Sequence, residues 1–447
     1  MIRPSRMRRG TSSAFARVTA LAEQRAVHEA FHWLHLQNQQ LLHQQAELVA
    51  IPAPPFGEAA RAAWTAERFA AMGMEEISID AAGNVLARFP SPERTESGVV
   101  LLSAHLDTVF PIETQLEPVM REDRLEAPGA CDNGAGVIGM LAVVQAMRVA
   151  GIEPKAALWV AGNVGEEGEG DLRGIRHIYQ YAAFRERIVS HIVLDGAGSE
   201  SAVTHALGSR RFQVRISGPG GHSFTDAGTV NPILALCDAM RRLEQAAALD
   251  EQTRTTFNLG TISGGTSVNS IPESATASVD FRSTETAELV RLEVALHRAV
   301  EDAVETANAA AKLAAQRRGC TFEPLRMLIQ KIGDRPTGSL PQTSVLMETL
   351  RAVDRHLHLR TDLRLGSTDA NLPLALGVPA LSMGAGGDGG AAHTRAEWYS
   401  GVNRTLGLKR VLLLTLAVLE QAMLEQAMLE QTMQEQTMQE QTGESAV

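Results

Sequence analysis

The chain has 447 residues, 44% of them hydrophobic, and 52 acidic side chains against 41 basic ones, a formal net charge of −11. That length exceeds what one compact core accommodates and indicates two domains. The acidic balance, without a stripe of lysine or arginine, excludes the basic footprint of nonspecific nucleic-acid binding.

The first segment, "MIRPSRMRRGTSSAFARVTALAEQ", is rich in arginine and has no acid before Glu23. It contains no apolar core long enough for a secretory signal, so residues 1–24 are expected to be a frayed start of a cytoplasmic protein. His28, His32 and His35 then recur at helical spacing and offer a possible metal site, but no carboxylate or glycine-shaped pocket accompanies them. The cysteines, Cys131, Cys237 and Cys320, are too few and scattered for a disulfide framework or a cysteine-based zinc site, which indicates a reducing compartment.

From residue 25 to 209, apolar runs alternate with helical patterns. "VVLLSA", "AALWVAG" and "HIVLDG" read as buried strands and "AGVIGMLAVVQAMRVA" as a helix between them. Between residues 210 and 325 the pattern changes. "RFQVRIS", "TTFNLGTIS" and "ATASVDFRS" alternate as strands buried on one face, with helices at "NPILALCDAMRRLEQAAA" and "AELVRLEVALHRAVEDAVETANAAAKLAAQ". From 326 to 419 the first pattern returns, with a buried strand at "PALSMG". The fold class is therefore α/β: a mostly parallel sheet with helices on both faces, interrupted by an inserted α+β domain.

"GLKRVLLLTLAVLEQAML" comes nearest to the roughly 18 apolar residues that span a bilayer, but charges flank it, so it reads as a buried amphipathic helix and no membrane partner is expected. Residues 420–447 are a pentad repeat whose period suits neither a helix face nor a coiled-coil seam. They read as a low-complexity tail, helical near Leu419 and frayed toward Val447.

Within this frame "VGEEGEGDLRG", Val164–Gly174, is acidic enough to repel itself unless a metal, a basic substrate or solvent relieves it. Other candidate ligands also fall just past predicted strand ends. "VVLLSAHLD" ends in His105 and Asp107, "ALWVAGNVGEE" in Glu166 and Glu167, "IVLDG" in Asp195, and "PALSMGAGGDGGAAH" in His393. Open α/β sheets bind ligands at the carboxyl ends of their strands. Asp132, in "GACDNGAGVIGML", stands where a helix begins and reads as a cap or a ligand. Each residue alone has an ordinary structural explanation. Together they form the mixed nitrogen and oxygen ligand set of a zinc-type hydrolase, in which two cations relieve the repulsion between carboxylates.

The motifs "SAHLDTV", "CDNGAGV", "GEEGEGDLRG", "LDG", "GPGGHS", "GGTSVNSIPESATASVDFRS" and "GGDGGAAHTRAEWY" run in order from about Ile51 to about Leu419. They resemble the two-zinc metallopeptidase family of peptidase T, glutamate carboxypeptidase, acetylornithine deacetylase and succinyl-diaminopimelate desuccinylase. The peptidase T-like branch is the most similar.

The resemblance implies that His105 and Asp195 complete one zinc site, Glu167 and His393 the other, and that Asp132 bridges the two ions, with cobalt or manganese as substitutes. It also implies that Asp107 orients His105 by accepting a hydrogen bond from its imidazole, and that Glu166 is the general base. His222, Asn269 and Arg282 would serve the substrate, His222 as an oxyanion donor, and Ser367 and Asp369 lie near the site. The implied reaction is hydrolysis of an amide in a short peptide, aminopeptidase- or tripeptidase-like, in a homodimer formed through the inserted lid and dimerisation domain. An N-acyl-amino-acid deacylase would use the same site. A relative that binds metal or a partner without turnover is the reading from another class.

Overall fold

The structure, a computed structural model, describes residues 7–91, 98–319 and 321–444, without the side chains of residues 7–12, 426 and 428–444. Cys320 lies outside the described residues. The chain divides into two compact units, Met1–His205 with Ser339–Val447, and Ala206–Gly338.

The first unit is built on a nine-stranded mixed sheet. Its centre is four parallel strands in the spatial order Ala157–Asn163, Val99–His105, Ile188–Leu194 and Ala380–Met383. Val99–His105 is buried at every position, as a strand covered on both faces must be, so its residues form a continuous apolar run rather than an alternation. On one face Val99, Leu101, Trp159 and Ala161 pack against Ile175 and Ile178 of the helix Arg173–Tyr181. The helices Gly134–Val149 and Arg404–Glu444 also lie against the two middle strands. Antiparallel strands flank this centre, including the hairpin Glu75–Ile79 and Val85–Arg88 and the strand Ser201–Ala206. These short or half-exposed strands lack the long apolar runs that mark the central four.

Two segments differ from expectation. Where a frayed start is expected, residues 7–22 form a helix in which Ala14, Val18 and Leu21 are buried. That spacing of four and three residues is helical, but the preceding arginines obscure it. At the other end the helix that begins at Arg404 runs to Glu444, through most of the pentad repeat. Alanine, leucine, methionine, glutamate and glutamine are all good helix formers, so backbone propensity suffices without a continuous apolar face. No helix among the described residues is long and apolar enough to cross a membrane.

The second unit is an antiparallel four-stranded sheet in the order Thr256–Gly264, Ser274–Ser283, Gly208–Ser217, Arg326–Arg335. Strict alternation of buried residues along Ser274–Ser283 turns Ala275, Ala277, Val279 and Phe281 onto the helices Pro232–Ala246 and Thr286–Arg318. Arg326–Arg335 pairs with Gly208–Ser217 and belongs to this unit, beyond the expected boundary at residue 325. It is an edge strand exposed along most of its length and carries no clean alternation to announce it.

Candidate metal centre

The four parallel strands end level with one another. His105 stands opposite Asn163, and Met383 opposite Leu194. Strand-like bonding continues one residue further, with the Leu106 N–H donating to the Asn163 carbonyl at 2.7 Å and the Asp195 N–H to the Met383 carbonyl at 3.0 Å. His105, Asp107, Glu166, Glu167 and Asp195 all follow from these ends. Gly165, at φ 66°, supplies the left-handed turn that re-aims the chain before the two glutamates.

Asp132 joins them from the start of the helix Gly134–Val149. The helix cap is Asn133, one residue on from the expected position: its Oδ1 accepts the N–H groups of Gly136 and Gly196, both at 3.0 Å. Its Nδ2 donates to the Leu194 carbonyl at 2.9 Å. A Cβ at Gly136 would collide with that cap and with the Leu194 carbonyl, so glycine is required for the helix to begin this close to the strand end. With Asn133 serving as the cap, the carboxylate of Asp132 is directed to two imidazoles. Its Oδ1 lies 3.1 Å from His105 Nε2 and its Oδ2 lies 3.0 Å from His393 Nε2. Asp195 Oδ1 is 3.7 Å from His105 Nε2, and Glu167 Oε1 is 2.8 Å from His393 Nε2.

Two groups of potential ligands result, His105 with Asp132 and Asp195, and Asp132 with Glu167 and His393. They share one residue. A third group joins His105, Glu166 and Glu167. These are the only such groups among the described residues, and His28, His32 and His35, exposed on the helix Arg25–Leu36, form none.

Buried polar groups fix these side chains from behind. Asp107, fully buried, accepts the N–H groups of Glu166 at 3.0 Å and Glu167 at 2.7 Å. The hydrogen bond expected between His105 and its carboxylate is made instead to its backbone carbonyl, 3.1 Å from His105 Nδ1, while the nearest carboxylate oxygen is at 3.7 Å. The two oxygens of Asp107 are taken up by the glutamate loop, and the carbonyl still keeps the proton on Nδ1 and leaves Nε2 to face the acids.

Glu397, absent from the expected set, accepts the N–H groups of Gly129 at 2.9 Å, Cys131 at 2.8 Å and Asp132 at 2.7 Å. Its only signal in the sequence is its place four residues after His393. Arg61 is likewise buried and donates to the Ile51 and Leu106 carbonyls at 2.8 and 2.9 Å. Asp369, also fully buried, accepts from Asn163 Nδ2 at 2.7 Å.

Electrostatics provide a test of whether a cation fits. Burial alone would lower the pKa of His105, yet Asp107, Asp132 and Asp195 carry it well above the ordinary value. Asp132 and Glu167 raise His393 to about 10. Burial raises Asp132, but the two imidazoles more than offset this and hold it far below the carboxylate range. Without an ion, protons on the imidazoles supply the positive charge that the acids demand. Asp132 Oδ1, although 3.1 Å from His105 Nε2, is buried and accepts no well-aligned hydrogen bond. An acceptor-rich cluster whose shared carboxylate keeps an unsatisfied buried oxygen fits metal ions.

The remaining expected residues lie in the second unit. His222 pairs in register with Ser270, and the Ser223 N–H donates to the Asn269 carbonyl at 3.0 Å, so His222 and Asn269 share one tip. His222 Nδ1 accepts the N–H groups of Phe224 at 3.2 Å and Thr225 at 3.4 Å, which leaves the ring proton on the exposed Nε2. Arg282 is not brought to that tip. It stands near the far end of Ser274–Ser283, with its Nε 2.7 Å from Asp280 Oδ2, because residues two apart on a strand share a face.

The model of Peptidase family M20/M25/M40 matches residues 101–421. A probable carboxypeptidase of Aspergillus clavatus is 28% identical over 263 residues, covering 54% of this chain and 57% of that one. The chain spans about half the length of the curated relatives it matches. Among solved structures, an aminopeptidase PepT from Bacillus cereus superposes with a TM-score of 0.65 at 18% identity, covering 85% of this chain and 98% of that one. A tripeptidase from Staphylococcus aureus gives 0.66 at 19%, covering 86% and 99%. A dinuclear metal binding peptidase of the M20 family from Bacillus subtilis gives 0.59 at 15%, covering 86% and 99%. At these identities the structural likenesses concern the fold alone.

Proposed function

Because this chain belongs to peptidase family M20/M25/M40, we propose that it is a two-zinc peptidase that hydrolyses an amide bond of short peptides. The observation that carries this reading is the shared carboxylate: Asp132 faces His105 with one oxygen and His393 with the other. His105, Asp132 and Asp195 would hold one ion, and Asp132, Glu167 and His393 the other. The bound ions supply the Lewis acidity that polarises an amide carbonyl and acidifies water.

This chain's residues do the rest. Glu166, hung from Asp107 by its N–H, accepts the water proton on its carboxylate and passes it to the leaving nitrogen. His222 offers Nε2–H to the oxyanion, a role supported by the two N–H groups that occupy Nδ1. It acts within a homodimer formed through the inserted unit. Asn269, on the same tip, contacts the substrate. Arg282, whose Nε is held by Asp280, would offer its remaining guanidinium N–H groups to a substrate carboxylate.

Tripeptidase or aminopeptidase action is the first reading. Carboxypeptidase action is the second, favoured by the name of the Aspergillus clavatus relative. Assay of the zinc-, cobalt- and manganese-loaded protein against free, N-acetylated and C-amidated di- and tripeptides, with N-acyl amino acids alongside, separates them. An aminopeptidase requires the free amine and a carboxypeptidase the free carboxylate. Cleavage should stop on chelation and return with metal. Hydrolysis that survives thorough chelation excludes the metal reading, and a fully loaded protein inert to the whole panel favours a non-catalytic relative.

A further inference from the structure

We propose that Glu397 is a positioning residue of the metal centre: together with Asp107 it turns five backbone N–H groups away from the ions, so that the ligand loops present only acceptors to them. This rests on the metal-binding reading above. The five donors are those of Glu166 and Glu167, taken by Asp107, and those of Gly129, Cys131 and Asp132, taken by Glu397.

Tight glycine-containing turns with adjacent free N–H groups form concavities that bind anions. The segment Pro128–Gly134 has the composition of such a turn, and Gly129 adopts φ 74°. One carboxylate reverses its polarity. Both oxygens of Glu397 are used, Oε2 by Gly129 and Oε1 by Cys131 and Asp132, on a side chain that is 1% exposed.

The backbone of Glu397 is locked to the same segment. The Ala127 N–H donates to its carbonyl at 3.1 Å, and the next residue, Trp398, pairs with Glu126. Four residues upstream on the same loop is His393, so one loop carries a ligand of one ion and the clamp on the backbone of Asp132, whose carboxylate is common to both groups. Release of the clamp therefore affects both ions, whereas loss of a terminal ligand such as Asp195 affects one directly.

The test compares Glu397→Gln, which keeps the shape but faces the backbone donors with an NH2 group, with Glu397→Asp, which keeps the charge on a shorter stem. Zinc affinity, read by competition with a chromophoric chelator, should fall about 10–100-fold at both sites in Glu397→Gln, within the range usual for partners that orient ligands, and less in Glu397→Asp. In metal-free wild-type protein, hydrogen exchange of residues 127–133 should already be slow, a measurement that depends on no variant folding. Wild-type affinity in a folded Glu397→Gln protein, or rapid exchange of 127–133 until metal is added, overturns the proposal. Wild-type protein that binds no divalent ion removes the metal-binding reading itself. Two bound ions, unaffected by the substitution, remove only the role of Glu397.

Discussion

Glu167 donates its backbone N–H to Asp107 at 2.7 Å and places its own carboxylate 2.8 Å from His393, so one residue links the buried carboxylate to a ligand of the second group. Glu166 hangs from the other oxygen of Asp107 but is absent from the His393 group. These neighbours therefore differ in chemistry. Glu166→Gln should keep both ions and lose about 10²–10⁴-fold in kcat, the usual worth of a positioned base, whereas Glu167→Gln should lose an ion. Metal analysis beside steady-state kinetics decides the assignment, and equal metal loss in both variants refutes it.

His222→Ala should retain both ions while kcat falls about 10²–10³-fold, the typical cost of one oxyanion donor. Mixing Glu166→Gln with His222→Ala under conditions that exchange subunits should restore activity, because a heterodimer then contains one intact pairing of the two residues. Demonstrated exchange without recovery contradicts a shared site.

A pH-sensitive element lies on the adjacent central strands Val99–His105 and Ile188–Leu194. Ser103 Oγ is 2.8 Å from His191 Nε2, and the Tyr179 hydroxyl is 3.2 Å from Nδ1. Burial lowers the pKa of His191 to about 3. The unfolded chain, with histidine near 6.5, binds the proton first as pH falls. This group therefore leaves stability intact above about 6.5 and lowers it progressively between that pH and about 3. Denaturant titrations from pH 7 to 4 should show that slope in the wild type and a shallower one in a folded His191→Gln variant. Identical slopes contradict the assignment.

The central strands were legible because burial on both faces leaves uninterrupted apolar runs, and the site was legible because the fold delivers its chemistry at the ends of those runs. His105, Asp195 and the two glutamates can be placed from strand pattern alone. Other features carried no such signal. Glu397 acts through backbone N–H groups more than 260 residues away in sequence, a relation without local pattern. Arg61, on the helix Ala59–Ala71, is buried against two carbonyls, a position that a charged side chain does not announce. Asp132 and Asn133 are both good caps, and only the structure shows that Asn133 takes the cap while Asp132 faces the imidazoles. The edge strand Arg326–Arg335 is exposed on most of its residues and offers no period to read.

That one carboxylate serves two ions is tested by the metal content per chain of wild type and Asp132→Asn after equilibration with excess zinc and removal of loosely bound metal. The wild type should hold two ions. In Asp132→Asn neither tight site should remain, because the amide cannot offer an anionic oxygen to both ligand groups at once, and hydrolysis should be lost with them. One ion in the wild type, or two ions retained in Asp132→Asn with hydrolysis intact, would contradict it.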